Sequence, residues 1–404
     1  MKRIERGYIQ KASAYLETLC SVKPNRRTGS PGNREATAFF AGIVNQLGYT
    51  VDTTPFACLD FTGGQASLEC KGNSFEINVS PYSLGCDVAA ELITVSSVEE
   101  LEQCRCGGKI LLMKGEICRE QLMPKNFVFY NPDDHKKIYA LLEEKKPAGI
   151  ITATEKKPEL VGALYPFPLI VDGDFDIPNV YCKDTVGEKI TGKSAEIFRL
   201  KIDAKRIPST AANIIARKNP GVKDKIVLTA HIDAYENTPG ASDNASGTVV
   251  LLLLAEMLWE YKGRLGVEIA ALNGEDHYSA GGQMDYLNRY GSDFDSIIVA
   301  VNVDDVGYRK GNSAYSYYEC PDDIKQKANT TFNDFDGIIE GEPWFKGDHM
   351  IFAQRGKAAI AFTSEKISEL MANVTHTSRD IPDIIDSLKL VEVALALKNF
   401  IMQF

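Results

Sequence analysis

The chain has 404 residues, of which 44% are hydrophobic and 25% are charged, an ordinary globular composition with enough length for two cores. Its net charge of -10 offers no basic stripe for a phosphate backbone, which argues against nucleic acid as a partner. Because no apolar tract approaches the length needed to cross a bilayer, the sequence predicts no membrane partner either.

The cysteines and the N-terminal residues indicate the compartment. The nine cysteines follow no regular spacing, and Cys104 and Cys106 lack the two-residue gap of a zinc knuckle or a redox motif. Free thiols in a reducing compartment are the simpler interpretation. Residues 7–13 contain no apolar signal core. Together these features predict a cytoplasmic protein.

The first clear element is an amphipathic helix. Ser30 is suited to cap its N-terminus, and Pro31 fits its first turn. Apolar residues then recur at helical spacing from Ala36 to Leu47, and Gly48 ends the pattern. This helix is expected to face a core.

The pattern of apolar residues along the chain then changes twice. Residues 60–205 show short alternating runs broken by glycine, with one helix near Asp134 to Lys145, which predicts an inserted β-rich domain without metal-ligand spacing. From residue 206 onward, strands alternate with helices, so residues 1–59 and 206–404 are expected to form one α/β domain. Its fold class is a doubly wound mixed sheet with helices on both faces. The final helix is expected to start near Asp380 to Asp383.

Acidic residues and histidines stand at the ends of the apolar runs of this second part. A run from Ile226 ends in His231 and Asp233, and Asp243 follows within the reach of one loop. The run from Val267 leads to Glu275 and Asp276, and the run from Ile297 leads to Asp304. His376 follows a fourth run, Ala358 to Phe362. Since side chains converge at the carboxyl edge of a parallel sheet, these residues predict a metal site.

The inventory suits two divalent metals that share one carboxylate. Asp243 is assigned as the bridge, His231 and Asp304 as ligands of one metal, and Asp276 and His376 as ligands of the other. Glu275 is left beside a ligand, where it can take a proton from the bridging water and give it to a leaving amine. Asp233 is suited to accept the other ring proton of His231, or to steady the site.

These motifs, in this order, resemble the co-catalytic di-zinc aminopeptidase family, which also includes glutamate carboxypeptidase and the transferrin receptor. The similarity extends to the N-terminal loop at residues 27–33 and to residues 347–352 and 356–360, before the last ligand. Residues 60–205 resemble the protease-associated domain that many members insert at this place. The resemblance therefore spans nearly the whole chain.

The resemblance implies a phosphorylase/hydrolase-like α/β core, two zinc ions and hydrolysis of a terminal peptide bond, with peptides as substrates. The chain departs from the family pattern at Asp276, where most members have glutamate, and at the adjacent His277. An aspartate ligand is one methylene shorter and can shift the second metal or its preference, so other divalent metals stay open. His277 is expected to be exposed or part of the core.

Several alternatives stay open or are weighed against this interpretation. An aminopeptidase leads, and a carboxypeptidase of the glutamate type is the runner-up, which arginines near the site would favour; Arg379 is the arginine closest in sequence to a ligand. A non-catalytic receptor-like member would lack ligands, and a glutaminyl-cyclase-like enzyme would use one zinc. Asp380 is expected to cap the final helix, and Asp348 and His349 to brace a loop or contact substrate. The oligomeric state is not indicated.

Overall fold

A computed structural model describes residues 6–127, 131–157, 162–193, 195–277 and 281–404 of the chain. Within these residues, two eight-stranded β-sheets carry most of the structure. Strands of the first sheet come from both sides of a continuous segment that forms the second sheet.

The first sheet has a parallel centre. Its strands are β1 (Thr50–Asp52), β10 (Ile214–Lys218), β11 (Lys225–His231), β12 (Gly266–Leu272), β13 (Ile297–Val303), β14 (Ser313–Tyr318), β15 (Ile338–Glu340) and β16 (Ala359–Ser364). Their order across the sheet is β1-β10-β12-β11-β13-β16-β14-β15. β12, β11, β13 and β16 run parallel, whereas β10 is antiparallel to β12 and β14 is antiparallel to β16. The sheet is therefore mixed.

Helices cover both faces of this sheet, which explains why its central strands are apolar throughout. Successive residues of β11 point to opposite faces, so Ile226 and Leu228 join one core cluster and Val227 joins another. The first cluster includes residues of α1 (Arg6–Cys20), α2 (Pro31–Gln46), α6 (Gly247–Met257), α8 (Asp322–Phe332) and α11 (Ser387–Ile401). The second includes residues of α7 (Gly282–Tyr290) and α9 (Met350–Ala353). The predicted fold class is confirmed.

The second sheet is built from the segment between β1 and β10. Its strands are β2 (Phe56–Cys70), β3 (Asn73–Phe75), β4 (Asn78–Val79), β5 (Cys86–Val95), β6 (Ile110–Lys114), β7 (Gly149–Thr154), β8 (Asn179–Lys183) and β9 (Ile197–Ala211). Their order is β3-β2-β9-β5-β6-β7-β8-β4. β2 and β9 are each 15 residues long and pair antiparallel from the Phe56–Ala211 pair onward. We call residues 56–211 the insert.

The insert differs from its sequence prediction in two respects. The paired strands extend beyond residues 60 and 205, because β2 and β9 continue their ladder to Phe56 and Ala211. Besides α4 (Asp133–Lys145), which matches the predicted helix, the insert contains α3 (Val98–Gln103) and α5 (Asp184–Thr191). Helices of six and eight residues show too little periodicity to be recognised from sequence.

Both helix ends with a predicted cap can be compared with the structure. The Ser30 side chain accepts a hydrogen bond from the Asn33 amide at 3.0 Å, which confirms it as the cap of α2. The predicted start of the final helix near Asp380 is wrong. That helix begins at Ser387, with Asp386 as its cap, and a separate 3₁₀ turn spans Pro382–Ile384. Pro382 opens that turn, and the backbone is extended again at Ile385, so the two helical pieces stay separate.

The most apolar helix of the chain is internal. All residues of α6 are buried, as expected for the run from Thr248 to Leu254. Across the described ranges, no helix combines the length and the apolar character that crossing a membrane requires. α10 (Ile367–Asn373) follows β16 and leads into the loop that carries His376.

Candidate metal centre

The predicted ligands meet at the carboxyl edge of the parallel strands. His231 is the last residue of β11, and Asp304 directly follows β13, the parallel neighbour of β11. Asp276 lies in the turn after β12, the other parallel neighbour. Asp243 and His376 arrive on loops, before α6 and after α10. The parallel register of the three strands therefore brings the first three side chains to one place, and the loops supply the other two.

The distances divide the five side chains into two groups joined by Asp243. One oxygen of Asp243, Oδ1, lies 3.1 Å from His231 Nε2, and its other oxygen, Oδ2, lies 3.0 Å from His376 Nε2. His231 Nε2 is also 3.4 Å from Asp304 Oδ1, and His376 Nε2 is 2.9 Å from Asp276 Oδ1. A carboxylate with each oxygen directed to a different histidine has the arrangement of a bridging ligand.

The unpaired polar atoms of this cluster fit a divalent cation. Both ring nitrogens of His231, Asp276 Oδ2 and Asp304 Oδ1 are buried and make no hydrogen bond of acceptable geometry among the described residues, although His231 Nε2 is within 3.1 Å of Asp243 Oδ1. Buried polar groups are almost always paired, so such atoms need an explanation. In each of two groups, His231 with Asp243 and Asp304, and Asp243 with Asp276 and His376, the ligand atoms lie within 4.8 Å of one another. Imidazole nitrogens and carboxylate oxygens are the donors that zinc accepts.

Burial and mutual repulsion shape the charges of the acidic residues. Burial favours the neutral form of Asp243, but the imidazoles of His231 and His376 outweigh it and hold the pKa of Asp243 far below its usual range. Burial, with the charge of Asp243, raises the pKa of Asp276 to about 6. Burial also raises the pKa of Asp304, although His231 opposes this. Several carboxylates that share one buried space in this way create a demand for positive charge.

Glu275 lies next to this cluster in the turn after β12. Burial raises its pKa well above the usual range; His231 opposes this shift, and Asp304 and Asp276 reinforce it. Its side chain lines a cavity of about 410 Å³. A carboxyl group with a raised pKa at a cavity wall is suited to exchange protons with a molecule bound there.

Asp233 supports the turn that carries Glu275 and Asp276. It is fully buried and accepts hydrogen bonds from the amides of Gly274 at 3.0 Å and Asp276 at 3.2 Å. Its Oδ1 lies 3.6 Å from His231 Nδ1, which is longer than a hydrogen bond. Asp233 thus joins the end of β11 to the turn after β12.

Asp380 was expected to be a helix cap, and this expectation is wrong. Its two carboxylate oxygens accept hydrogen bonds from the backbone amides of Ser242, at 2.7 Å, and Asp243, at 3.1 Å. Asp305 accepts a hydrogen bond from the Ser242 hydroxyl at 2.7 Å. Both carboxyl groups are buried behind the loop that presents Asp243. Asp380 lies four positions after His376, and the sequence alone predicts it at the start of the following helix.

Other residues near the site were not recognised from sequence. The guanidinium of Arg26 is buried and donates to the carbonyl groups of Ile232, Pro239 and Gly240, on the loop between His231 and Asp243. Arg27 donates to Asp60 of the insert at 2.9 Å and to Glu236 of the same loop at 3.1 Å. Arg27 begins the loop at residues 27–33 that carries part of the resemblance, but the partners in these bonds lie more than thirty residues away, so the sequence did not indicate the bonds.

His277 and the aromatic ring of Tyr235 are internal. Burial, with the nearby charge of Arg27, lowers the pKa of His277 to about 3, which corresponds to a neutral ring. Of the two sequence expectations for this residue, the core position is correct. The ring of Tyr235 is stacked on that of His277 with a centroid distance of 5.2 Å and an interplanar angle of 18°.

The cavity beside Glu275 is lined by residues of the insert and by residues that follow it in the chain. The insert contributes Glu120, Gln121, Met123, Phe127 and His135, and the rest of the chain contributes Glu275, Gln283, Phe345, Lys346, Gly347, Met350, Ile351 and Gln354. Phe345 is 72% exposed at this wall. Asp348 is buried and accepts a hydrogen bond from Gln283 at 2.6 Å, while His349 contacts the Trp344 carbonyl at 2.9 Å. Both residues therefore brace the loop behind the cavity.

Comparison with known proteins locates the family similarity in the part of the chain that carries the site. Residues 213–401 match the sequence model of peptidase family M28. The probable lipoprotein aminopeptidase LpqL of Mycobacterium tuberculosis is 23% identical over 244 residues, which are 58% of this chain and 45% of that protein. Aminopeptidase YwaD of Bacillus subtilis is 35% identical over 112 residues, 25% of this chain and 24% of that protein. Each alignment thus spans less than half of the relative's length.

Solved structures resemble the chain over nearly its whole length. An aminopeptidase from Aneurinibacillus sp. strain AM-1 has a TM-score of 0.75 at 21% identity, covering 98% of this chain and 93% of that one. A zinc aminopeptidase from Bacillus subtilis has a TM-score of 0.75 at 19% identity, covering 98% and 95%. At these identities the similarity establishes the fold. Together with the family match over residues 213–401, it supports the resemblance to zinc aminopeptidases that the motifs predicted, whereas the resemblance of residues 60–205 to a protease-associated domain stays a prediction.

Proposed function

Because residues 213–401 match the sequence model of peptidase family M28, we propose that the chain is a zinc-dependent aminopeptidase that hydrolyses the N-terminal peptide bond of peptides. The observation that carries this proposal is the arrangement of Asp243, whose two oxygens face His231 and His376, with Glu275 next to the cluster. A site without catalytic function would not need a carboxyl group beside the ligands and at the wall of a cavity.

Five residues would hold two zinc ions. His231 and Asp304 would bind one ion, Asp276 and His376 would bind the other, and Asp243 would contact both. Zinc bound there would polarise the peptide carbonyl and lower the pKa of a water molecule. The same donors accept other divalent metals, so cobalt or manganese could substitute.

In the proposed reaction, Glu275 accepts and then donates a proton. As the water oxygen attacks the carbonyl carbon, Glu275 accepts a proton from that water. When the carbon–nitrogen bond breaks, Glu275 donates the proton to the nitrogen of the leaving amine. Burial makes the protonated form of Glu275 accessible, as this second step requires.

The charges around the cavity favour an amine over a carboxylate as the terminal group of the substrate. A glutamate-type carboxypeptidase would need a cationic clamp, for which arginine is the best suited residue. The residues that line the cavity include two acidic side chains, Glu120 and Glu275, and one lysine, Lys346. Arg379 is exposed and does not line the cavity. These features support the aminopeptidase over the carboxypeptidase.

We also propose that the insert walls the substrate cleft and supplies neither a metal ligand nor the proton-transfer group. Within the described parts of the chain, the groups of side chains able to hold a metal contain no residue of the insert. Yet Met123 and His135 of the insert line the same cavity as Glu275. The insert is therefore placed to influence which peptides enter.

Substrates that differ only at their termini test the proposed activity. The metal-depleted protein would be supplied with zinc, cobalt or manganese and offered a peptide with free ends, the same peptide with an acetylated N-terminus, and a third with an amidated C-terminus. We expect release of the N-terminal residue from the first and third peptides only. Cleavage of the acetylated peptide from its C-terminus would instead support the carboxypeptidase.

A further inference from the structure

Three aromatic rings form a stack beside one half of the metal centre. The ring of Tyr235 is stacked on the imidazoles of both His277 and His376. The Tyr235–His376 centroid distance is 4.6 Å with an interplanar angle of 17°, and the Tyr235–His277 distance is 5.2 Å with an angle of 18°. Both contacts are thus close to parallel. Near-parallel packing is one of the favoured arrangements of aromatic rings.

The stack connects the two candidate ligands that belong to one ion. His376 is itself a candidate ligand, and His277 directly follows Asp276, the other ligand of that group. Tyr235 belongs to a third segment, the loop that follows β11, and lies two residues after Asp233. The phenol ring of Tyr235 therefore contacts both chain segments that present Asp276 and His376.

His277 contributes to this arrangement as an aromatic body. Neither of its ring nitrogens has a hydrogen-bond partner among the described residues, and its side chain is fully buried. Phe61 and Tyr82 of the insert contact its ring edge-on, at centroid distances of 6.1 and 6.2 Å. His277 thus packs against the aromatic rings of Phe61, Tyr82 and Tyr235.

His376 needs support that its own backbone does not provide. Its φ angle is +62°, in the left-handed region that residues other than glycine seldom adopt. Such a conformation persists only where the surroundings determine it. The neighbouring Thr375 carbonyl accepts a hydrogen bond from the Ala163 amide of the insert at 3.2 Å, and the flat face of Tyr235 supports the imidazole itself.

We propose that Tyr235 is a positioning residue that sets the separation of Asp276 and His376 and thereby the affinity of the ion they would share. The proposal rests on the metal centre of the proposed function. Tyr235 acts through the two stacked imidazoles, and the aromatic ring rather than the hydroxyl is the part that matters. The ion that His231 and Asp304 would hold shares only Asp243 with this pair and should be unaffected.

Metal titration of three variants tests this role. Metal-depleted protein would be titrated with Zn²⁺ by calorimetry and with Co²⁺ by absorption spectroscopy. In Tyr235→Leu, which fills the volume without a flat ring, we expect one of two sites to lose about 10–100-fold in affinity, the usual effect of removing a group that orients a ligand. Tyr235→Phe should bind both ions as the wild type does. Tyr286→Leu, at a buried tyrosine packed against Phe294 and Phe352 instead, controls for general destabilisation.

Each outcome has a distinct meaning. Equal weakening of both ions in Tyr235→Leu, unchanged binding, or a loss in Tyr235→Phe as large as in Tyr235→Leu would overturn the positioning role. If the wild type binds no metal, the proposed metal centre fails, and the stack is then only core packing. Should Tyr235→Leu not fold, Tyr235→Met provides the same comparison with a more adaptable side chain.

Discussion

Aspartate at position 276 reaches its histidine although it is one methylene shorter than glutamate. Its Oδ1 lies 2.9 Å from His376 Nε2, the shortest of the four distances within the metal centre. His376 has a left-handed backbone and its imidazole is stacked on Tyr235 in this arrangement. The shorter side chain of Asp276 is thus long enough for the contact that the candidate metal centre needs.

The first prediction concerns metal content. We expect His231→Ala to lose at least one equivalent of bound metal, because this imidazole faces both Asp243 and Asp304. Elemental analysis of wild type and variant measures the change. His135→Ala, at a buried histidine of the insert, serves as the control and should keep the full content. Equal metal content in wild type and His231→Ala would contradict the ligand assignment.

The second prediction separates proton transfer from metal binding. Glu275→Gln should retain metal and lose about 10²–10⁴-fold or more in kcat, because an amide of nearly the same shape cannot carry the proton. Steady-state kinetics on a cleavable peptide, with metal analysis of the same sample, provides the measurement. Turnover near that of the wild type would show that another group moves the proton.

The third prediction concerns the carboxylate behind Asp243. Asp380→Asn replaces one acceptor oxygen by an NH₂ group, which cannot accept from the amides of both Ser242 and Asp243. A buried donor left without a partner costs about 1–3 kcal/mol. We expect a lower free energy of unfolding in urea and weaker metal binding. Asp383→Asn, three residues away in an exposed turn, should change neither.

The four parallel strands at the centre of the first sheet were predictable from sequence because each is a short apolar run followed by polar side chains. β11, β12, β13 and β16 all appear where these runs lie, and their parallel register follows from the alternation with helices. The positions that sequence failed to explain, Arg26, Tyr235 and Asp380, act through partners distant in the chain. Hydrogen bonds and ring contacts of that kind leave no periodic signal.

The start of α2 gives a prediction at the level of one helix. Ser30→Ala removes the side chain that accepts from the Asn33 amide, so we expect a loss of about 0.5–2 kcal/mol in the free energy of unfolding. Urea denaturation monitored by circular dichroism measures this loss. Ser13→Ala, at a serine inside α1, provides a comparison that removes no cap. A loss equal in both variants would exclude capping as its cause.

The cavity beside Glu275 is lined by residues of the insert and by residues outside it. Met123 of the insert and Ile351 of the first sheet's segment both line this space. Arg27 links the two segments through Asp60 and Glu236. If the insert selects substrates, changes on its side of the cavity should alter selectivity without altering the chemistry.

Filling the cavity from the insert tests this division of roles. Met123→Trp should raise KM for peptides with a bulky N-terminal residue by about 10-fold or more, while alanyl peptides change less and metal content stays constant. Kinetics on a series of N-terminal residues gives the comparison. Ile197→Trp adds the same ring at an exposed position of β9 and should leave all values unchanged. A fall in kcat that is uniform across the series would mean that the insert also shapes the reaction centre.

The ladder between β2 and β9 has a consequence for how such proteins can diversify. Because Phe56 pairs with Ala211, the insert begins and ends at adjacent points of the part that carries the candidate metal centre. These points are about 5 Å apart, the usual distance between neighbouring strands. Recombination could therefore exchange the whole intervening module for another whose ends also lie side by side. If the proposed function is correct, one genetic event could thus change the peptides that a descendant protein accepts, while the residues of the candidate metal centre stay as they are.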